Sequence, residues 1–159
     1  AIHLIGYSRT TTNIQNDNNK GIPMFWQDYL SSGKMKKLHT EPFIESHHEY
    51  GVCLPLNSDQ TTFDYMIGVS VSAPLKANHY SSNTIPAGTF AVFTVPTSND
   101  QSFSNNIQNT WNYIFNEWFP SSDYEFDDTS FDYEFYPVNG LDDETQACEI
   151  YCPIRKKVD

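Results

Sequence analysis

Glu134 lies between Asp132 and Tyr136 at alternate positions of the run Phe131-Asp132-Tyr133-Glu134-Phe135-Tyr136-Pro137. On a strand, that alternation sends Phe131, Tyr133 and Phe135 to one face and Asp132, Glu134 and Tyr136 to the other. If the Glu134 face lines a cavity, a carboxylate among aromatic rings is a receptor for an organic cation. Charge pairing strengthens away from water, and ring faces attract the same positive charge. Burying the carboxylate alone would raise its pKa and oppose folding, and a cationic ligand reverses that penalty. The competing reading is a wetted sheet face on which Glu134 is an ordinary surface charge.

The rest of the chain must supply the walls. Its 159 residues include 10 Tyr, 11 Phe and 3 Trp, enough rings to build a cage and a core together. The formal net charge is −11, and no lysine or arginine occurs between Lys76 and Arg155, an interval holding twelve Asp or Glu residues. Such a surface repels phosphate backbones, which argues against direct nucleic-acid binding and for a cationic ligand or a basic protein surface. Asp127-Asp128 and Asp142-Asp143-Glu144 read as solvated charge. Cys53, Cys148 and Cys152 are odd in number and sparse, as expected of reduced thiols in a cytoplasmic protein. On one strand Cys148 and Cys152 would lie roughly 13 Å apart, too far to bridge. No apolar run is long enough for a membrane span and no leader pattern opens the chain.

The positioning elements follow from periodicity. A strand is expected over Ala1 to Thr12, followed by a polar loop over Asn13 to Lys20. A helix opens at Gly21-Ile22-Pro23, carries Ile22, Phe25, Trp26, Tyr29 and Leu30 as its apolar stripe, and ends near Ser32-Gly33. Trp26 is either a core ring or a cavity wall, and Lys34, Lys36 and Lys37 form a solvated helix end. Glu49 to Leu56 and Phe63 to Ser72 form a hairpin, the second strand placing Phe63, Tyr65, Ile67, Val69 and Val71 on one face. His47-His48-Glu49 lacks metal-ligand spacing, and no metal or cofactor is expected. After a loop over Ala73 to Asn83 come a strand over Thr84 to Pro96, a helix over Phe103 to Phe119 stopped by Pro120, the Glu134 strand, and a last strand over Ala147 to Lys156. Ile107, Trp111, Ile114, Phe115 and Trp118 form the second helix's stripe. The order strand, helix, strand, strand thus occurs twice in one domain, with modules over about 1–75 and 83–157.

In that order the chain resembles the GyrI-like, or AraC-type effector-binding, small-molecule-binding domains. The resemblance rests on Ile22-Pro23 with Trp26, Tyr50-Gly51-Val52, Tyr65 through Gly68-Val69-Ser70-Val71, and Ile85-Pro86-Ala87-Gly88 with Phe90-Ala91-Val92-Phe93. It continues through Trp111 to Ile114, Trp118-Phe119-Pro120, Phe131 with Glu134 and Tyr136, and Glu149-Ile150-Tyr151 with Pro153-Ile154. It implies an α+β fold of two βαββ (SHS2) modules related by a pseudo-twofold, an antiparallel sheet with two main helices on one face and a central ligand groove on the other. Members serve as effector-sensing domains of multidrug-responsive activators, in which an acidic residue matching Glu134 meets cationic drugs. Others stand alone, some resemble hydrolases of strained rings that use a glutamate and a tyrosine, and one branch inhibits DNA gyrase. This chain departs from the pattern in having no helix-turn-helix sequence, Cys at position 53 where an aromatic is expected, and Phe at position 90 where tyrosine is common.

The ligand-binding set expected from the residues and the resemblance is Glu134, Tyr151, Tyr136, Phe90, Trp111, Tyr65 and Trp26, with Asp132 at the rim and no catalytic residue assigned. Tyr151 enters because it shares a face with Glu149, while Ile150, Cys152 and Ile154 form the helix-side stripe. The function expected is stand-alone binding of lipophilic or cationic aromatic compounds. One alternative is a hydrolase of an electrophilic small molecule using Glu134 and Tyr136 or Tyr151; the other is an acidic inhibitor of a DNA-handling enzyme such as gyrase. Exposed strand edges leave room for a homodimer.

Overall fold

The computed structural model describes residues 1–12, 18–97, 102–138 and 146–158. The loop expected over Asn13 to Lys20 and the acidic run Asp142-Asp143-Glu144 fall wholly or partly outside them. The strands are β1 (Ile2–Thr12), β2 (Glu49–Cys53), β3 (Thr62–Val71), β4 (Ser81–Ile85), β5 (Phe90–Thr94), β6 (Tyr124–Phe126), β7 (Asp132–Tyr136) and β8 (Glu149–Lys156). The helices are α1 (Asn18–Ser31), the short α2 (Lys34–His39) and α3 (Ser102–Tyr113). From α3 the chain continues through a π-helical segment, Ile114–Trp118, into a last turn, Phe119–Ser121.

The strands make one open, antiparallel, eight-stranded sheet in the order β4-β1-β3-β2-β7-β8-β5, with β6 paired to the far end of β8. The β2–β7 pairing joins its halves: β1, β3 and β2 lie to one side, and β7, β8 and β5 to the other. The fold is α+β, and among the described residues no helix is long and apolar enough to cross a membrane.

Each helix covers one half of the same sheet face. In the first half, Phe25 and Tyr29 of α1 pack against Ile5, Phe63, Ile67 and Val69. In the second, Phe103 and Ile114 meet Val95, Ile150 and Cys152. The helix-free face is different in kind: Leu4, Val52, Met66 and Ile85 are sealed beneath Tyr50, Phe90, Phe131, Tyr133, Phe135 and Tyr151. Tyr133 and Tyr151 stack there with centroids 4.6 Å apart and planes 7° apart.

Several expected bounds move. The first helix begins at Asn18, so Pro23 lies inside it and not in its first turn. The strand expected over Thr84 to Pro96 is two strands, because Pro86-Ala87-Gly88 ends β4 on the β1 edge before β5 starts beside β8. Pro120 does not stop the second helix, which runs on to Ser121; proline is tolerated near the start of the final turn. Sequence periodicity gave no warning of β6, which is only three residues long.

Candidate functional site

A cavity of about 690 Å³ opens between α1, α3 and the sheet. Ile22, Pro23, Trp26 and Leu30 of α1 form one wall, Phe103, Ile107, Trp111 and Phe115 the other. Gly51, Cys53, Tyr65, Asp132, Glu134 and Tyr136 make the floor. Helix α1 therefore does two jobs: Phe25 and Tyr29 anchor it to the sheet, and the adjacent Ile22, Trp26 and Leu30 turn toward the cavity. Trp111 and Phe115, four residues apart across the end of α3, stack at 6.0 Å with planes 12° apart.

Glu134 is half-buried at the centre of that floor. Its Oε2 accepts from Trp111 Nε1–H at 3.0 Å. Its Oε1 accepts from the Tyr136 hydroxyl at 3.2 Å and the Tyr65 hydroxyl at 3.3 Å. Trp26 Nε1–H in turn donates to the Tyr65 oxygen at 2.8 Å, so an indole from each helix is tied to the carboxylate, one directly and one through a phenol. Burial pushes the Glu134 carboxyl above its ordinary value, and the Trp111, Tyr136 and Tyr65 donors pull it back part of the way. Tyr65 and Tyr136 are both held well above the usual phenol range, chiefly by burial and then by the Glu134 charge. They are committed to donating.

Gly51 makes this arrangement fit. It pairs with Glu134 across β2 and β7, and a Cβ there would lie 2.1 Å from the Tyr65 hydroxyl oxygen and 3.0 Å from the Trp26 ring. The bare backbone leaves the gap through which Tyr65 reaches the carboxylate.

Three expectations are corrected. The cavity is on the helix-covered face of the sheet, not on the opposite one. The reason is pairing: Glu134 is cross-strand partner of Ile150, already a helix-side residue, and Tyr133 is partner of Tyr151. Antiparallel partners share a face, so the structure brings together Glu134, Tyr136, Trp111, Tyr65 and Trp26 but places Tyr151 and Phe90 on the helix-free face, against Tyr133. Asp132, expected at the rim, belongs to the floor. There burial, reinforced by the Glu134 charge, pushes its carboxyl up to about 7 despite hydrogen bonds from its own backbone N–H and the Cys53 thiol. The sequence reading missed Gly51, Cys53 and Gln146 as site residues; the Gly51–Glu134 and Cys53–Asp132 register pairs were the available signal.

The residues of this floor are all uncharged donors or acids. Among the described residues no lysine, arginine or histidine lines the cavity, and no group of three His, Cys, Asp or Glu side chains could hold a metal ion. The three cysteines are free thiols. Chemically the arrangement is an aromatic slot with negative charge at its base.

A family model, the integron-associated effector binding protein Cass2, matches residues 1–154. The chain belongs to the Cass2 family. Three solved structures share the fold of this Cass2 member. SAV2435 bound to tetraphenylphosphonium has a TM-score of 0.71 at 19% identity, over 97% of this chain and 88% of that one. A bacterial transcription regulation protein from Staphylococcus aureus MU50 has a TM-score of 0.68 at 19% identity, over 97% and 92%. The integron cassette protein VCH_CASS2 from the mobile metagenome of Vibrio cholerae has a TM-score of 0.62 at 17% identity, over 96% and 90%. A search of curated protein sequences returns no significant match. As a member of the Cass2 family the chain is an effector-binding protein.

Proposed function

We propose that the groove binds lipophilic aromatic cations, with Glu134 as the counter-charge and Trp26, Trp111, Tyr65 and Tyr136 as the cage. The observation that carries this reading is the state of Glu134: a half-buried carboxylate with three neutral donors and, among the described residues, no cationic side chain in the same cavity. Neutral donors steady the anion without cancelling it, so a bound cation still gains the full charge interaction in a slot screened by rings. Each ring face adds about 0.5 to 2 kcal/mol of cation–π attraction. The tetraphenylphosphonium complex of SAV2435, a protein of the same fold, supports the ligand class.

A thermal-shift screen of cationic dyes and phosphonium salts against neutral analogues of similar shape tests it. A cation at one hundred times its dissociation constant stabilises the folded chain by about 2.7 kcal/mol, and neutral analogues stabilise it far less. Equal shifts for cations and neutral analogues would remove the role of Glu134.

A hydrolytic reading draws on the same trio, because the raised carboxyl of Glu134 lies within hydrogen-bond reach of two phenols. Mass analysis of ligand recovered after long incubation separates the two: unchanged ligand supports binding, and a water-added product supports hydrolysis.

A further inference from the structure

Asp132 stands two residues before Glu134 on β7 and faces the same cavity, so their Cα atoms lie roughly 7 Å apart along the floor. The two carboxylates are provisioned differently. Glu134 has two phenols and an indole, whereas Asp132 has the Cys53 thiol, a weak donor, and its own backbone N–H. Among the described residues, the titratable groups acting on Asp132 are Cys53 from β2, Glu134 from β7 and Cys152 from β8, and each is neutral or negative. The described α1 and α3 residues over the floor carry no ionisable side chain. Independently, Gln146 Oε1 in the same cavity is a buried acceptor that has no donor among the described residues.

We propose that the groove is built for a ligand with two positive, hydrogen-bond-donating ends, one held by Glu134 and the other by Asp132, and that it therefore selects compact aromatic dications over monocations. This rests on the cation-binding reading above and narrows it. A second cationic end turns the cost of ionising Asp132 in a ring-lined cavity into an attraction, and its remaining N–H groups supply the donor that Gln146 Oε1 lacks. A planar amidinium suits the role because its two parallel N–H groups match a carboxylate.

The selectivity is proton-linked. At pH 6 most Asp132 is protonated, so the second charge must displace a proton to bind; at pH 8 the carboxylate is already free. With titration near 7, the preference for dication over monocation rises about tenfold between pH 6 and pH 8. Glu134 titration acts on both ligands and cancels in the ratio.

The test is calorimetric titration of the full chain with benzene-1,4-dicarboxamidine and with benzamidine, both cationic throughout that range, at pH 6 and pH 8. The expected result is a dication-to-monocation affinity ratio about ten times larger at pH 8, with no such pH dependence in an Asp132→Asn variant. A wild-type ratio equal at the two pH values overturns the proposal, and needs no variant to read. An Asp132→Asn protein that keeps the wild-type ratio and its pH dependence overturns it as well. If monocation binding survives Glu134→Gln unchanged, the broader cation reading fails while the Asp132 comparison still decides its own claim. If neither amidine binds, both fail.

Discussion

Glu49 and Glu134 are carboxylates on neighbouring strands of the helix-covered sheet face, and the protein surrounds them in opposite ways. Glu49, on β2, is 3% exposed. The Tyr29 hydroxyl of α1 donates to both its oxygens, at 3.0 and 2.9 Å, and the His39 Nε2 of α2 meets its Oε1. Behind His39 the ring of His47 stacks at 5.0 Å, with the two Nδ1 atoms 2.7 Å apart. Every oxygen of Glu49 is used by the chain itself. Glu134, on β7, faces a cavity and among the described residues has only neutral partners. The two acids thus separate by burial and by partner: one is closed off with an imidazole as a structural pin, and the other is half-buried and left one positive charge short.

The largest effect that would break this comparison is on stability. Glu49→Ala leaves the Tyr29 hydroxyl and the His39 ring without their acceptor, and is expected to cost about 3–5 kcal/mol in urea unfolding while leaving cation affinity of the folded protein nearly unchanged. Lost affinity with intact stability would assign the two acids the other way round.

Next comes pH. The Asp132 carboxyl, pushed up to about 7 from an ordinary 3.8, holds its proton more tightly folded than unfolded. Its ionisation therefore opposes folding, and its contribution falls from about pH 4 and is fully lost above about 7. Discounting for the cavity's opening to water, the wild type should lose on the order of 3 kcal/mol relative to Asp132→Asn between pH 4 and pH 8. A wild type that gains on the variant as pH rises would contradict the placement of Asp132 on the floor.

Gly51→Ala sharpens the comparison from the backbone side. The new Cβ must displace the Tyr65 hydroxyl from 2.1 Å, costing about 1–3 kcal/mol and stripping Glu134 of one donor. Denaturation and cation titration of one preparation should show both losses; full affinity would mean that Tyr65 does not steady the anion. Smallest is Trp111→Phe, which removes one indole donor for about 1 kcal/mol and leaves Glu134 titrating higher. Its cation affinity should therefore fall at a higher pH than that of the wild type as the solution is acidified.

Much of this is legible in the residues. Alternation alone separates Asp132, Glu134 and Tyr136 from Phe131, Tyr133 and Phe135, and the stripes of α1 and α3 bring Trp26 and Trp111 toward the sheet. What hydropathy could not orient was β7 itself, because both its faces carry rings. Pairing would have: with β7 beside β8, the helix-side assignment of Ile150 also fixes Glu134 beneath the helices. The π-helical turn and Gly51 escaped for another reason. Neither leaves a mark on apolar periodicity, and a glycine matters here only because a phenol passes over it. His47 and Glu49 are two residues apart on the chain, yet what joins them is His39, brought in by the separate short helix α2.

The most direct measurement is a calorimetric titration of wild type and Glu134→Gln with tetraphenylphosphonium and with neutral triphenylphosphine oxide. The account predicts that the variant folds at least as stably, loses about 30-fold or more in affinity for the cation, roughly 2 kcal/mol, and binds the neutral compound as before. An equal loss for both compounds, or none for the cation, would contradict it.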